Sequence, residues 1–85
     1  MIVNVIEATY VENFIIALSL KVTENSSSKI IKKNVDLFQY IKNKKENGIF
    51  APLKNIAYFK DFKLNANTIE WKNGVDIAPE RFLEL

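Results

Sequence analysis

Five apolar residues, Phe14, Ile16, Leu18, Leu20 and Val22, alternate with Ile15, Ala17, Ser19, Lys21 and Thr23. A period of two places the two sets on opposite faces of a β-strand, so the stretch predicts a strand with one buried face. The preceding Val3 to Tyr10 is rich in Val, Ile, Thr and Tyr, and Val11-Glu12-Asn13 separates it from the second strand as a hairpin connection would. Glu24-Asn25-Ser26-Ser27-Ser28 is a polar turn, and Lys29 to Val35 reads as a third strand. Three consecutive strands predict an antiparallel meander.

After Val35 the period changes. Asp36 followed by Gln39 fits a capping box, and Leu37, Phe38 and Ile41 fall at helical spacing. With Lys42, Lys44 and Lys45 toward a C-terminal end and Gly48 as a left-handed stop, a helix from about Leu37 to Glu46 is expected. Pro52 suits the first turn of a second, short helix with Leu53, Ile56, Ala57 and Phe59 facing inward. A turn centred on Ala66-Asn67 pairs Leu64 with Ile69 and Phe62 with Trp71 on a buried face, and Lys63 with Glu70 on a solvated one. Ala is a poor choice for a two-residue turn with positive φ, which argues for a longer loop. Asn73-Gly74 marks another turn, and Pro79 opens a final helix running to Leu85.

The predicted class is therefore α+β: one domain over residues 1–85, with a three-strand antiparallel meander, a C-terminal hairpin and two or three short helices. The 48% hydrophobic content, with only two Gly and two Pro, fits a compact chain. At 85 residues the core is modest, which favours supplementing it by a partner or by homo-oligomerisation. The start Met1-Ile2-Val3-Asn4 lacks the basic region of a signal peptide, and the longest apolar run, Phe14 to Leu18, is far short of a membrane span. A cytoplasmic location and no membrane association are expected.

The chain has neither Cys nor His, which removes thiolate nucleophiles, imidazole bases and the usual zinc ligand sets. No catalytic residue, metal ligand or cofactor site is assigned. Glu70, Asp76, Glu80 and Glu84 lie close together but without ligand-loop spacing, and Asp76 sits near the start of the last helix, where a carboxylate has a structural use. The phase of Trp71 with Ile69 assigns it to core packing.

Charge changes the picture more. Residues 29–63 hold nine Lys against Asp36, Glu46 and Asp61, a net +6, in a chain whose overall charge is +2. Lys29, Lys32, Lys33, Lys42, Lys44 and Lys45 are interleaved with Phe38 and Tyr40, which makes this segment a candidate basic surface and opens a reading as a nucleic-acid-associated regulator. Against it stands the scarcity of Arg, present only at Arg81. Ile15 and Ala17 fall on the polar face of the second strand, where an uncovered apolar patch or sheet edge would dock a partner.

Three blocks, Gly48-Ile49-Phe50-Ala51-Pro52-Leu53, Tyr58-Phe59-Lys60 and Ile69 to Glu80 with Trp71-Lys72-Asn73-Gly74 and Asp76-Ile77-Ala78-Pro79, follow one another at characteristic spacing. In these blocks, and over nearly the whole length, the chain resembles a small bacterial family, the domain of unknown function 2442. The resemblance implies a small α+β fold with no established activity. Members are often encoded beside a small toxin-like protein, which implies an antitoxin-like role with an operon-encoded protein partner. Some carry an added helix-turn-helix domain, which residues 1–85 do not include. The motif residues Gly48, Pro52, Trp71, Gly74, Asp76 and Pro79 read as structural: the prolines start helices, the glycines make turns and the Trp packs. One departure lies at Glu24 to Ser28, where the family often has Asp-Gly, and it leaves the geometry of that turn open.

Overall fold

The computed structural model describes residues 1–42, 48 and 50–85. Strands β1 (Ile2–Glu12), β2 (Ile15–Glu24) and β3 (Ser27–Asp36) form an antiparallel meander in the order β1-β2-β3. Helix α1 (Phe38–Lys42), a 3₁₀ turn (Ala51–Lys54) and helix α2 (Ile56–Phe59) follow. Strands β4 (Lys63–Asn65) and β5 (Thr68–Glu70) make a separate hairpin, and a second 3₁₀ turn (Pro79–Leu83) comes last. This is the expected α+β arrangement. No helix among the described residues is long and apolar enough to cross a membrane.

The alternation in β2 sorts its side chains as expected. Ile16, Leu18, Leu20 and Val22 are buried, joined from β1 by Val3 and Val5 and from β3 by Val35. Two register shifts in β1, between Val5 and Glu7 and between Tyr10 and Glu12, add residues that the sequence pattern conceals. The first is a bulge that leaves Ile6 exposed and returns Ala8 and Tyr10 to the core side. β3 is regular, pairing without a shift from Ile15↔Asp36 to Glu24↔Ser27.

The connections are tighter than expected. Strand β1 runs through Glu12, so the first turn is Asn13-Phe14 rather than Val11 to Asn13, with Asn13 at φ +49°. At the second turn Asn25 and Ser26 both take positive φ, +51° and +67°. This is the backbone that an Asp-Gly pair would supply, reached without glycine. Ala66 and Asn67 do the same at +52° and +71°, so the β4–β5 loop has only two residues despite its Ala. The pairs Leu64↔Ile69 and Lys63↔Glu70 occur as expected.

The faces of that hairpin differ from expectation in one respect. Leu64 is 46% exposed although its partner Ile69 is fully buried. The core reaches Ile69 but ends before the outer strand β4, which is exposed throughout.

Asp36 caps α1, its carboxylate accepting from Phe38 N at 2.9 Å. The continuation of the expected helix to Glu46 lies outside the described residues. The segment after Pro52 is not one helix but two pieces, because Asn55 is extended and its side chain accepts from Ala57 N, capping α2 afresh. Leu53 and Phe59 are buried, Ile56 is half-buried, and Ala57, expected inside, is exposed. The final segment is 3₁₀ rather than α. It begins at Pro79 as expected, and Ala78 before it makes no side-chain cap.

Every buried apolar side chain outside the meander packs on its inner face: Leu37, Ile41, Leu53, Phe59, Ile69, Trp71, Val75, Ile77 and Phe82. Phe59 is central, with ring centroids 5.0 Å from Phe14, 5.8 Å from Trp71 and 6.2 Å from Tyr10. Trp71 also donates Nε1–H to the Phe59 carbonyl at 2.7 Å, so its polar atom is satisfied within the core. The buried Thr68 hydroxyl donates to the Ile77 carbonyl.

Candidate interaction surface

Residues directly opposite one another in an antiparallel ladder share a face, so the register of β1–β3 defines the outer surface row by row. Across β1, β2 and β3 the rows are Ile2-Thr23-Ser28, Asn4-Lys21-Ile30, Glu7-Ser19-Lys32 and Thr9-Ala17-Asn34, followed by Glu12-Ile15-Asp36 at the end. Small side chains, Ala17 and Ser19, occupy the central strand, while longer ones stand on both flanks. The result is an open depression of about 520 Å³ lined only by residues of the three strands: Glu7, Thr9 and Ala17 to Ser19, with Lys32 to Asn34. No helix covers this face among the described residues.

With strands spaced about 4.8 Å apart, the backbones of Glu7 and Lys32 stand on either side of Ser19 at roughly 10 Å, and no ion pair joins the two side chains. The β1 flank carries Glu7 and Glu12, while the β3 flank carries Lys32 at its middle and Asp36 at its end. Apolar side chains lie at the ends of the surface: Ile2 is 61% and Ile30 50% exposed, and Ile15 is half-buried. Ile15 and Ala17 stand on this outer face, where the alternation put them.

The lysines do not form one surface. Lys32 pairs with Ser19 on the outer face, whereas Lys29 and Lys33 pair with Val22 and Leu18 and so stand on the opposite side. Lys33 is a tether: its ammonium donates to the carbonyls of Phe82 at 2.8 Å and Leu85 at 2.7 Å, holding the last 3₁₀ turn under the sheet. It leaves the candidate surface for this structural role. Lys42 lies at the far end of the chain segment, 5.6 Å above the Phe38 ring. Lys44 and Lys45 lie outside the described residues. A strand's two-sided geometry splits a run of like charges that looks continuous in sequence.

The remaining motif residues serve turns and packing. The Gly48 carbonyl accepts from Ala51 N, leading into the turn that Pro52 opens. Gly74, at φ +83°, closes a turn by donating its N–H to the Trp71 carbonyl. Asp76 does not cap the last turn; it is exposed and bridges to Glu70 through backbone pairing. Of the acids near the C-terminus, Glu70 accepts from the Asn65 side chain and Glu84 pairs with Arg81. Among the described residues no group of three or more Asp, Glu, His or Cys converges as a metal site would require.

Away from this surface, Lys72 and Asp61 form an exposed ion pair at 2.8 Å. The hydrogen bond and the charge of Asp61 raise the Lys72 pKa above its ordinary value.

The sheet edge expected beside Ile15 and Ala17 is absent, because β2 is paired on both sides, and sequence reasoning missed the free edge of β3. All ten residues, Ser27 to Asp36, pair with β2 on one side, and nothing among the described residues pairs with the other. The signal was present in the sequence order, since the last strand of a three-strand meander is an edge unless a later strand returns to it.

Compared with known proteins, the chain matches no family model, no curated protein and no solved structure.

Proposed function

We propose that the chain is a non-enzymatic protein-binding module that acts in an antitoxin-like role, covering a partner protein with the outer face of β1–β3. One observation carries this reading. Every buried apolar side chain outside the meander packs against the inner face, which leaves a three-strand sheet surface with exposed Ile2 and Ile30, small central side chains, and Glu7 and Lys32 on opposite flanks. Such a surface is shaped to receive another protein rather than a small molecule, because it is broad and open instead of enclosed. The antitoxin-like role comes from the family resemblance in the three sequence blocks.

The test is purification of the tagged chain from its native host after nuclease treatment, beside an Ala17→Arg variant. That variant sets a large cation in the floor of the depression without entering the core. The expected result is one small protein recovered near stoichiometry with the native chain, whose growth inhibition the chain relieves, and loss of both effects with Ala17→Arg. Recovery of nucleic acid alone, without nuclease, would replace this reading with the regulator based on the Lys-rich segment 29–63.

A further inference from the structure

We infer that the free edge of β3 is a strand-pairing site for an extended, acidic segment of a partner protein. The inference rests on the protein-binding reading above and specifies how the partner is held.

Exposed edges are ordinarily blunted by short length, a bulge, a proline, a cover or charge. β3 is ten residues long and carries no proline and no bulge. The bulges lie in β1, whose edge is also partly occupied: Val5 N donates to the Asn67 carbonyl in the β4–β5 turn. Of the blunting devices, β3 uses charge alone, with Lys29, Lys32 and Lys33 against the single Asp36. The Asp36 carboxylate is engaged at the start of α1 and the Lys33 ammonium at the last turn. Lys29 and Lys32 remain without a partner among the described residues, one on each face of the sheet.

A lysine-only guard is selective. Antiparallel pairing with a second copy would crowd three lysines from each chain into one short ladder, which like-charge repulsion opposes. A strand bearing carboxylates meets the reverse condition. Because Lys29 and Lys32 are three residues apart on opposite faces, the complementary segment carries acids at i and i+3. Between them it places two apolar residues opposite Ile30 and Ile31, of which Ile30 is half exposed and Ile31 packs on the core rim. Main-chain hydrogen bonds supply the attachment and the side-chain pattern supplies the choice of partner.

Area argues in the same direction. Three strands of about ten residues present a face near 14 by 33 Å, or roughly 460 Å², against about 800 Å² per partner in a standard interface. A partner that also pairs with the edge widens the contact by a strand.

The probe is a capped hexapeptide, Thr-Glu-Val-Val-Glu-Thr, added to the isotope-labelled full chain, with amide shifts and hydrogen exchange read across residues 27–36. Saturable protection of alternate β3 amides is expected. It should be absent with Lys in place of both Glu, which reverses the charge, and with Pro in place of one Val, which removes a ladder donor. The double variant Lys29→Glu/Lys32→Glu should bind the Glu peptide about tenfold more weakly and favour the Lys peptide. Equal response to both charged peptides, no protection of β3, or stronger response of the same amides to a DNA duplex would overturn the inference. If the double variant still captures the cellular partner while Ala17→Arg loses it, the edge assignment fails and the protein-binding reading stands.

Discussion

Ala66 and Ser26 occupy backbone conformations that cost L-residues free energy, because at positive φ the Cβ crowds the following carbonyl. Glycine removes that crowding but enters the fold from a more disordered unfolded chain, which offsets part of the gain. Ala66→Gly is therefore expected to stabilise the protein by about 0.5–1 kcal/mol, read as a higher urea midpoint at unchanged slope. Asn67, beside it, tolerates the same backbone better, since Asn visits the left-handed region readily. A second residue-level expectation concerns Lys72. Its pKa is raised in the folded state, so, while the Asp61 carboxylate is charged, the pairing favours folding below the unfolded Lys pKa and is lost as pH rises through the folded value. On the alkaline side the pair's pH dependence should thus appear above about pH 10 and vanish in Asp61→Asn, as followed by NMR titration of the Lys72 side chain.

Among elements, the three-strand meander was the most legible in sequence, and the reason is physical. β2 is central, so one face is uniformly buried and Ile16, Leu18, Leu20 and Val22 keep their alternation, although Ser19 on the other face is buried too. β1 is harder to read because register shifts at Ile6 and Val11 break the period twice, and periodicity cannot reveal an extra residue that both neighbours tolerate. The β4–β5 register followed from pairing Lys63 with Glu70, but the exposure of Leu64 depends on how far the core extends, which no local pattern encodes. The same limit applies to Lys33: its sequence neighbours suggest a basic surface, while its function is set by carbonyls some fifty positions away. Lys33→Met keeps the aliphatic stem and removes both bonds. It should speed hydrogen exchange in the 79–85 turn and lower stability by about 1–2 kcal/mol, leaving β2 exchange governed by global unfolding.

At the scale of the whole molecule, the sheet and the C-terminal half share one core, with Phe59 touching Tyr10 and Phe14 on one side and Trp71 on the other. Unfolding should consequently be a single transition rather than a separate loss of the β4–β5 hairpin. Trp71→Phe tests this. It removes the donor to the Phe59 carbonyl and leaves space in the core, and should cost on the order of 3 kcal/mol. The loss should appear equally in the amide exchange of β2 and β5; confinement to β5 would show two independent units. The outer face is a different case: Ala17→Arg changes no core contact and should leave the urea midpoint unchanged while abolishing partner capture.

The position of Trp71 has a practical consequence. It is the only indole in the chain, sealed inside the core on the inner side of the sheet, while the outer face lies on the other side of the β2 backbone. Its fluorescence should shift to longer wavelength when the chain unfolds, yet remain constant when a partner docks on the outer face. One intrinsic fluorophore therefore distinguishes a variant that has lost its fold from one that has only lost its partner.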